Sequence, residues 1–293
     1  MPHESDSSSF SLATLPARHG APRLAMAMIA ASLAVFGIGV FFAARPLVPV
    51  AAFYPMYQSA VIVCEAITGV FLLGQFALVR STGVLVLAAG YLFSAFMALA
   101  HALSFPGLFA PAGLLGSGPQ TTAWIYFLWH IGFAAAVIGY ALLRERADAS
   151  AGAGIAGGVL AALAAAVALT ALATSGQEAL PAIMNGDRDL PRKYTVAWIT
   201  WLVTLAAVPA LWRRKLSVLD LWLAVVIFTS LCDVALAAVF NAGRYSVGWY
   251  MGRMYGLLAS SFVLGVLLLE NVLLRARSAP GGAALSEPPP RRA

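Results

Sequence analysis

The sequence predicts an all-α fold: a polytopic bundle of about eight transmembrane helices with both the N-terminus and the C-terminus in the cytoplasm. Two observations carry this prediction. Of the 293 residues, 61% are hydrophobic and only 10% are charged, whereas soluble domains carry about 25% charged residues. The apolar residues also come in blocks of about 20, the length that crosses a bilayer as a helix. A water-soluble enzyme is therefore disfavoured, and the lipid bilayer is the expected surrounding of the chain.

Hydropathy divides the chain into eight predicted spans between two polar tails. The spans cover residues 23–44, 58–79, 83–104, 121–143, 152–174, 195–212, 217–239 and 250–274. Together they make a predicted integral membrane domain over residues 23–274. Residues 1–22, rich in Ser, and residues 275–293, rich in Pro, Ala, Gly and Arg, are predicted to be disordered cytoplasmic tails. The fifth span is rich in Gly and Ala, a composition that favours close packing between helices.

The distribution of Lys and Arg predicts the orientation. With the N-terminus inside, twelve of these residues lie in cytoplasmic segments and six in outer segments, in agreement with the positive-inside rule. Topology thereby explains the net charge of +6. Nucleic acid is not an expected partner, because no basic run with interleaved aromatic residues is present in the sequence. The two cysteines, Cys64 and Cys232, are too few for a disulfide framework.

Ionisable residues inside the predicted spans are the candidate functional residues. A charge at the bilayer centre costs roughly 2.5–3.5 kcal/mol on insertion scales, so each one needs a physical reason. The candidates are Glu65, His101, His130, Asp233 and Arg253. Counted from the helix ends at about 1.5 Å per residue, all five fall in the outer half of the membrane. Asp220 and Glu270, near the cytoplasmic ends, are expected to reach water.

Each candidate also has a plainer interpretation. Glu65 or Asp233 could form a structural ion pair with Arg253, which is how membrane charges are commonly satisfied. His130 could be a neutral imidazole bonded to Tyr126 or to a backbone carbonyl, and His101 an interfacial hydrogen-bonding residue.

A metal site is the third interpretation of these residues. His101 and His130 with one carboxylate would supply three ligands. No H-x-x-x-H, H-E-x-x-H or C-x-x-C spacing supports such a site, so the sequence leaves both the metal and any other cofactor open.

The segment 105–120 is apolar, uncharged and placed on the outer side. Its large apolar side chains favour a position in the interface or over the bundle rather than in water. The sequence leaves two roles open for it: a lid over the polar residues, or a packed connector.

Several stretches of the chain resemble the fourth class of membrane-associated sensor (MASE) domains. The matching stretches are FYPMYQ at 53–58, ITGVFLLGQFALVRS at 67–81, AGYLFSAFMALAHALSFPGLFAP at 89–111, GPQTTAWIYFLWH at 118–130 and NAGRYSVGWYMGRMYGLLASSFVL at 241–264. The resemblance runs from about residue 24 to 274. It implies a sensory input module in the bacterial inner (cytoplasmic) membrane. Such modules feed a C-terminal diguanylate cyclase or histidine kinase domain.

The chain departs from that pattern after residue 274, where about 19 residues follow without a GGDEF motif or a kinase motif. We therefore expect a non-enzymatic sensor that relays a stimulus, detected on the outer side or in the membrane, to a separate cytoplasmic effector of the diguanylate cyclase or histidine kinase type. The sequence leaves a homodimer open. Two alternatives remain: a proton-coupled small-molecule transporter, which needs polar residues through the full membrane thickness, and a membrane metal-binding or haem-binding protein using His101 and His130.

Overall fold

The computed structural model describes residues 20–147, 150–213 and 215–278, and these residues form a bundle of long α-helices. The helices are α1 (Gly20–Phe42), α2 (Phe53–Val79), α3 (Thr82–Ser104), α4 (Thr121–Leu143), α5 (Ala151–Ala173), α6 (Arg192–Trp212), α7 (Val218–Val234) and α8 (Val247–Ser278). Within the described part, eight helical segments are long and apolar enough to cross a membrane. The predicted all-α class and the predicted number of spans are confirmed.

Some element bounds differ from the predicted ones for identifiable reasons. Helix α2 begins at Phe53 rather than at residue 58, because Pro55 lies in the first turn, where proline costs no hydrogen bond. Helix α6 begins at Arg192 rather than at 195, directly after Pro191. Helix α7 continues as a π-helical turn, Ala235–Val239, to its predicted end.

The helices also extend into the predicted tails. Helix α1 starts at Gly20 and α8 continues to Ser278, so residues 20–22 and 275–278 are helical rather than disordered. The rest of the two tails, residues 1–19 and 279–293, lies outside the described residues.

Helices α3 and α7 form the centre of the bundle. Helix α3 packs against α2, α4 and α5, and α7 packs against α1, α6 and α8. Helix α5 lies at the periphery and approaches α3 closely, as its Gly-rich sequence predicts. A Cβ atom added at Gly158 would lie 2.9 Å from a side-chain carbon of Leu85 on α3.

Four loops meet at one end of the bundle, which we call the long-loop end: residues 43–52, 105–120, 174–191 and 240–246. Loop 174–191 carries a small hairpin of β1 (Met184–Asn185) and β2 (Arg188–Asp189). The loops are joined to one another: Pro46 pairs with Ser246 in a β-bridge, and Gln120 Nε2 donates to the Met184 carbonyl at 2.8 Å. The long-loop end is the one predicted to face outward.

The opposite end, the short-loop end, contains a buried carboxylate that the sequence interpretation placed in water. Asp220 is only 1% exposed, so the expectation that it reaches water is wrong. Its oxygens accept hydrogen bonds from Tyr140 Oη at 2.8 Å and from Ser217 Oγ at 2.8 Å, and it pairs with Arg144. The physical reason is a capping box, in which Ser217 and Asp220 bond to each other's backbone amides at the start of α7. The side chain of Glu270 lies outside the described part.

Candidate functional site

Asp233, near the end of α7, is the centre of the candidate site. Its carboxylate is 1% exposed and contacts two side chains of α4. Tyr126 Oη donates to Oδ1 at 3.1 Å, and His130 Nε2 lies 3.1 Å from Oδ2. The predicted ion pair between Asp233 and Arg253 is therefore replaced by a pair between Asp233 and His130.

The hydrogen-bond partners of His130 limit where the protons of this pair can lie. His130 Nδ1 lies 2.7 Å from the backbone oxygen of Tyr126. A carbonyl oxygen can only accept, so Nδ1 carries a hydrogen and donates it. A hydrogen bond from Nε2 to the Asp233 carboxylate then requires a second proton between the ring and the carboxyl oxygen. The pair is therefore an imidazolium with a carboxylate, or an imidazole with a carboxylic acid.

Glu65 on α2 belongs to the same site through α8. Its Oε1 atom accepts a hydrogen bond from Ser260 Oγ at 2.6 Å, while Oε2 is buried without a hydrogen-bond partner. Glu65 thus contacts a serine rather than the predicted Arg253.

A small cavity of about 30 Å³ joins these groups. Its polar lining residues are Tyr57, Glu65, Ser94, His130, Thr204, Ser230, Asp233 and Ser260. A cavity of this size holds water but not a drug-sized ligand, which fills about 300–1,000 Å³. The site is therefore suited to changes of proton position and of water structure.

Helix α8 approaches the carboxylate of Asp233 with its backbone. A Cβ atom added at Gly252 would lie 2.9 Å from Asp233 Oδ1, and one at Gly256 would lie 3.0 Å from Asp233 Oδ2 and 2.9 Å from Tyr57 Oη. Together with Ser260, these glycines form a stripe at i, i+4 and i+8, on one face of the helix. Only residues without a large side chain permit this contact.

Arg253 lies beside the stripe and has an aromatic environment. Its guanidinium carbon is 4.4 Å from the centroid of Trp249 and 5.4 Å from that of Tyr126. The residue is 7% exposed, and Nη1 is buried without a hydrogen-bond partner. Among the described residues, no carboxylate forms an ion pair with Arg253 within 4.0 Å. The plainer interpretation, an ion pair of Arg253 with Glu65 or Asp233, is therefore not what these residues form.

His101 lies next to this site rather than in it. The residue is 2% exposed, and Nδ1 lies 2.6 Å from Tyr54 Oη. Its ring centroid is 6.3 Å from that of Tyr126. The three-ligand set of His101, His130 and a carboxylate, which the sequence left open, is not brought together: within the described ranges, no group of three or more His, Cys, Asp or Glu side chains is suited to a metal. Cys64 and Cys232 are free thiols.

Sequence reasoning missed two groups at the long-loop end. Tyr126 was considered only as a partner of His130, whereas its hydroxyl bonds to Asp233. Lys193, which is 5% exposed, is one of the six Lys and Arg residues that the sequence places in outer segments, and the sequence gives it no other role. Asp189, four residues earlier in β2, lies 2.6 Å from its Nζ atom. Because Asp189 lies in the hairpin and not in α6, no helical spacing in the sequence signals this pair.

The family model MASE4, described as the integral membrane domain of a membrane-associated sensor, matches residues 48–274, about three quarters of the chain. The chain belongs to the MASE4 family. The MASE4 match begins before α2, so it is narrower than the resemblance from about residue 24 and leaves α1 outside. It contains all five candidate site residues. Neither the comparison with curated proteins nor that with solved structures returns a match.

Membership of this family establishes an integral membrane domain of a sensor and favours a non-catalytic role. In this MASE4 domain the ionisable groups that meet at the long-loop end come from α2, α4, α7 and α8. Their arrangement links the His130–Asp233 pair on two helices to the backbone of a third.

Proposed function

We propose that this MASE4 domain is a sensory input module in the bacterial inner membrane, whose stimulus acts on the His130–Asp233 pair and whose output is a displacement of α8. The contact of Asp233 with Gly252 and Gly256 carries this proposal. Because both glycines touch the carboxylate, a change in its charge or position acts directly on α8.

The geometry of α8 supports its role as the output element. The helix contacts Asp233 and Glu65 at the long-loop end and continues to Ser278, four residues beyond the predicted end of its span. A rigid helix transmits a shift at one end to the other, since packed elements move as discrete bodies rather than deform continuously. We infer that the receiver is a cytoplasmic effector of the diguanylate cyclase or histidine kinase type.

Apolar packing between the two ends favours a sensor over the transporter alternative. Along α7, Leu223 and Val225 lie between Asp220 and the cavity of the site and are fully buried, and Thr229 donates to carbonyl oxygens of its own helix. A proton-coupled transporter needs polar groups along its path, whereas a sensor needs polar groups only at its input.

The experiment compares Asp233→Asn with Asp220→Asn in the full chain in lipid nanodiscs, by hydrogen–deuterium exchange of the backbone amides. Both variants replace a buried carboxyl group of α7, contacted by a tyrosine of α4, with an amide of the same shape. We expect Asp233→Asn to change exchange rates along α8 several-fold, while Asp220→Asn changes only the short-loop end. Equal exchange of α8 in the wild type and in Asp233→Asn would overturn the proposal.

A cellular readout addresses signalling itself. Cyclic di-GMP and the phosphorylation of histidine kinases are measured in cells that carry the wild type, Asp233→Asn or Asp220→Asn. We expect Asp233→Asn to fix one of these outputs at a constant level while membrane insertion stays normal. An output that responds in Asp233→Asn as it does in the wild type would contradict the assignment of the site.

A further inference from the structure

A second cavity lies at the long-loop end, beside the His130–Asp233 pair. Its volume is about 40 Å³, and its walls come from α4, α6 and α8 and from the loops 105–120, 174–191 and 240–246. The charged and amide side chains that line it are Asp189, Lys193, Asn241, Arg244 and Arg253. No step of the proposed sensing mechanism uses this cavity.

The charges around the cavity leave one positive charge without a carboxylate partner. Lys193 Nζ lies 2.6 Å from Asp189 Oδ2, and Arg244 Nη1 lies 3.1 Å from Asp187 Oδ1. These two pairs are neutral as units. Arg253 remains, with no ion-pair partner among the described residues, and it also repels the Lys193 ammonium electrostatically.

Two buried atoms of the lining residues also lack hydrogen-bond partners. They are Arg253 Nη1, a donor, and Asp189 Oδ1, an acceptor. A buried polar atom without a partner is costly, and in native proteins such an atom commonly has a water or ligand partner. The guanidinium of Arg253 is held in place by Trp249, whose ring centroid lies 4.4 Å away. The cavity lining therefore includes an arginine with unpaired positive charge and a carboxylate with one unpartnered oxygen.

We propose that this cavity binds a small monocarboxylate that carries a hydroxyl group, of the size of glycolate or bicarbonate. The carboxylate would bind Arg253, whose planar fork suits two oxygens, and the hydroxyl would donate to Asp189 Oδ1. A net charge of −1 matches the unpaired charge of Arg253, and the small volume excludes larger acids. Asp187, which is 61% exposed, pairs with the neighbouring Arg244 at the surface.

This inference names the ligand class of the sensor proposed above and in that respect depends on the proposed function. Arg253 is adjacent to Gly252 in α8, so a bound carboxylate would act on the same helix that the Asp233 carboxylate contacts. Ligand binding and helix displacement are nevertheless separate measurements. The exchange of α8 in Asp233→Asn is read without ligand, so either proposal can fail while the other stands.

The test is isothermal titration calorimetry of the full chain in nanodiscs with sodium glycolate, acetate, chloride and glycine. Acetate lacks the hydroxyl, chloride lacks both groups, and glycine replaces the hydroxyl by an ammonium. The variants are Arg253→Gln, Arg253→Lys, Asp189→Asn and the control Arg45→Gln. Arg45 is a matched control because its guanidinium also lies over an aromatic ring, 4.6 Å from the centroid of Phe42, outside the cavity.

We expect saturable binding of glycolate, at least threefold tighter than acetate. Arg253→Gln and Arg253→Lys should weaken it at least tenfold, the latter because Lys keeps the charge but loses the fork, while Arg45→Gln should stay within twofold of the wild type. Asp189→Asn should abolish the preference for glycolate over acetate. If Arg253→Gln fails to fold, the glycolate binding of Arg253→Lys and the glycolate-to-acetate preference of Asp189→Asn decide whether the proposal holds. Absence of saturable glycolate binding, unchanged binding in the Arg253 variants, or tighter binding of glycine or chloride than of glycolate would overturn the proposal.

Discussion

Asp233 and Asp220 lie at opposite ends of α7, and each accepts a hydrogen bond from a tyrosine of α4. Tyr126 Oη donates to Asp233 at 3.1 Å and Tyr140 Oη to Asp220 at 2.8 Å. The surroundings of the two carboxylates differ: Asp220 is fixed by a capping box and an arginine, whereas Asp233 pairs with His130 and lies against Gly252 and Gly256 of α8. The tyrosine–aspartate bond at the short-loop end is therefore part of a fixed local network. The bond at the long-loop end holds a carboxylate that lies against α8.

The two tyrosines provide a matched pair of variants. Tyr126→Phe and Tyr140→Phe each remove one donor from a buried carboxylate, and we expect each to cost about 1–3 kcal/mol of stability. Only Tyr126→Phe should alter hydrogen–deuterium exchange in α8, because only Asp233 contacts that helix. The measurements are SDS-induced unfolding in mixed micelles and exchange in nanodiscs. A similar change of α8 in both variants would mean that global loosening, not the Asp233 contact, is responsible.

Close approach of α8 to Asp233 predicts a large effect of one methyl group. Gly256→Ala would place a Cβ 3.0 Å from Asp233 Oδ2 and 2.9 Å from Tyr57 Oη. We expect α8 to move outward and the domain to lose about 1–3 kcal/mol, the usual range for overpacking. Gly265→Ala, on the same helix with no atom within 4 Å of the added Cβ, should instead gain up to about 1 kcal/mol from helix propensity. Thermal unfolding of the two variants in detergent compares them; equal stability would show that α8 has room at residue 256.

The sequence predicted the spans well because membrane helices must satisfy their backbone hydrogen bonds internally, and hydropathy reports this directly. It also identified Asp233, His130 and Glu65 as buried ionisable residues. Their partners could not be predicted, because they lie on other helices and no spacing along the chain fixes which helices meet. Arg253 illustrates this limit: electrostatics alone favoured a carboxylate partner, and the structure gives it aromatic rings.

The prediction that Asp220 reaches water was wrong for a different reason. Its position near a span end suggested access to water, but a local pattern outweighed depth: Ser217 and Asp220 have the spacing of a capping box. That pattern predicts a hydrogen-bonded carboxylate at the start of α7, whereas the contacts with Tyr140 and Arg144 that bury it come from a distant part of the chain.

The capping box gives a prediction of its own. Ser217→Ala removes the hydroxyl oxygen that accepts a hydrogen bond from the Asp220 backbone N–H at 3.1 Å. It also removes the hydrogen bond that this hydroxyl donates to the Asp220 carboxylate. We expect a loss of about 1–2 kcal/mol, the range for N-cap replacement. Ser217→Thr keeps an oxygen at the cap and should recover most of this loss. The readout is SDS-induced unfolding, and an unchanged midpoint in Ser217→Ala would show that Arg144 and Tyr140 alone hold Asp220.

Glu65 and Ser260 form the second contact between α8 and the site, and a neighbouring serine supplies its control. Ser260→Ala leaves Glu65 Oε1 without its donor beside an Oε2 that is already unpartnered, so we expect a cost of about 1–3 kcal/mol. Ser261 Oγ donates to the Leu257 carbonyl of its own helix at 2.7 Å and also faces the Cys64 thiol of α2, both weak contacts, so Ser261→Ala should cost clearly less than Ser260→Ala. A double-mutant cycle with Glu65→Gln isolates the Ser260–Glu65 coupling, expected at about 0.5–3 kcal/mol. Additivity of the two changes would show that Ser260 acts only as a small residue at the helix contact and not as the donor that joins α8 to Glu65.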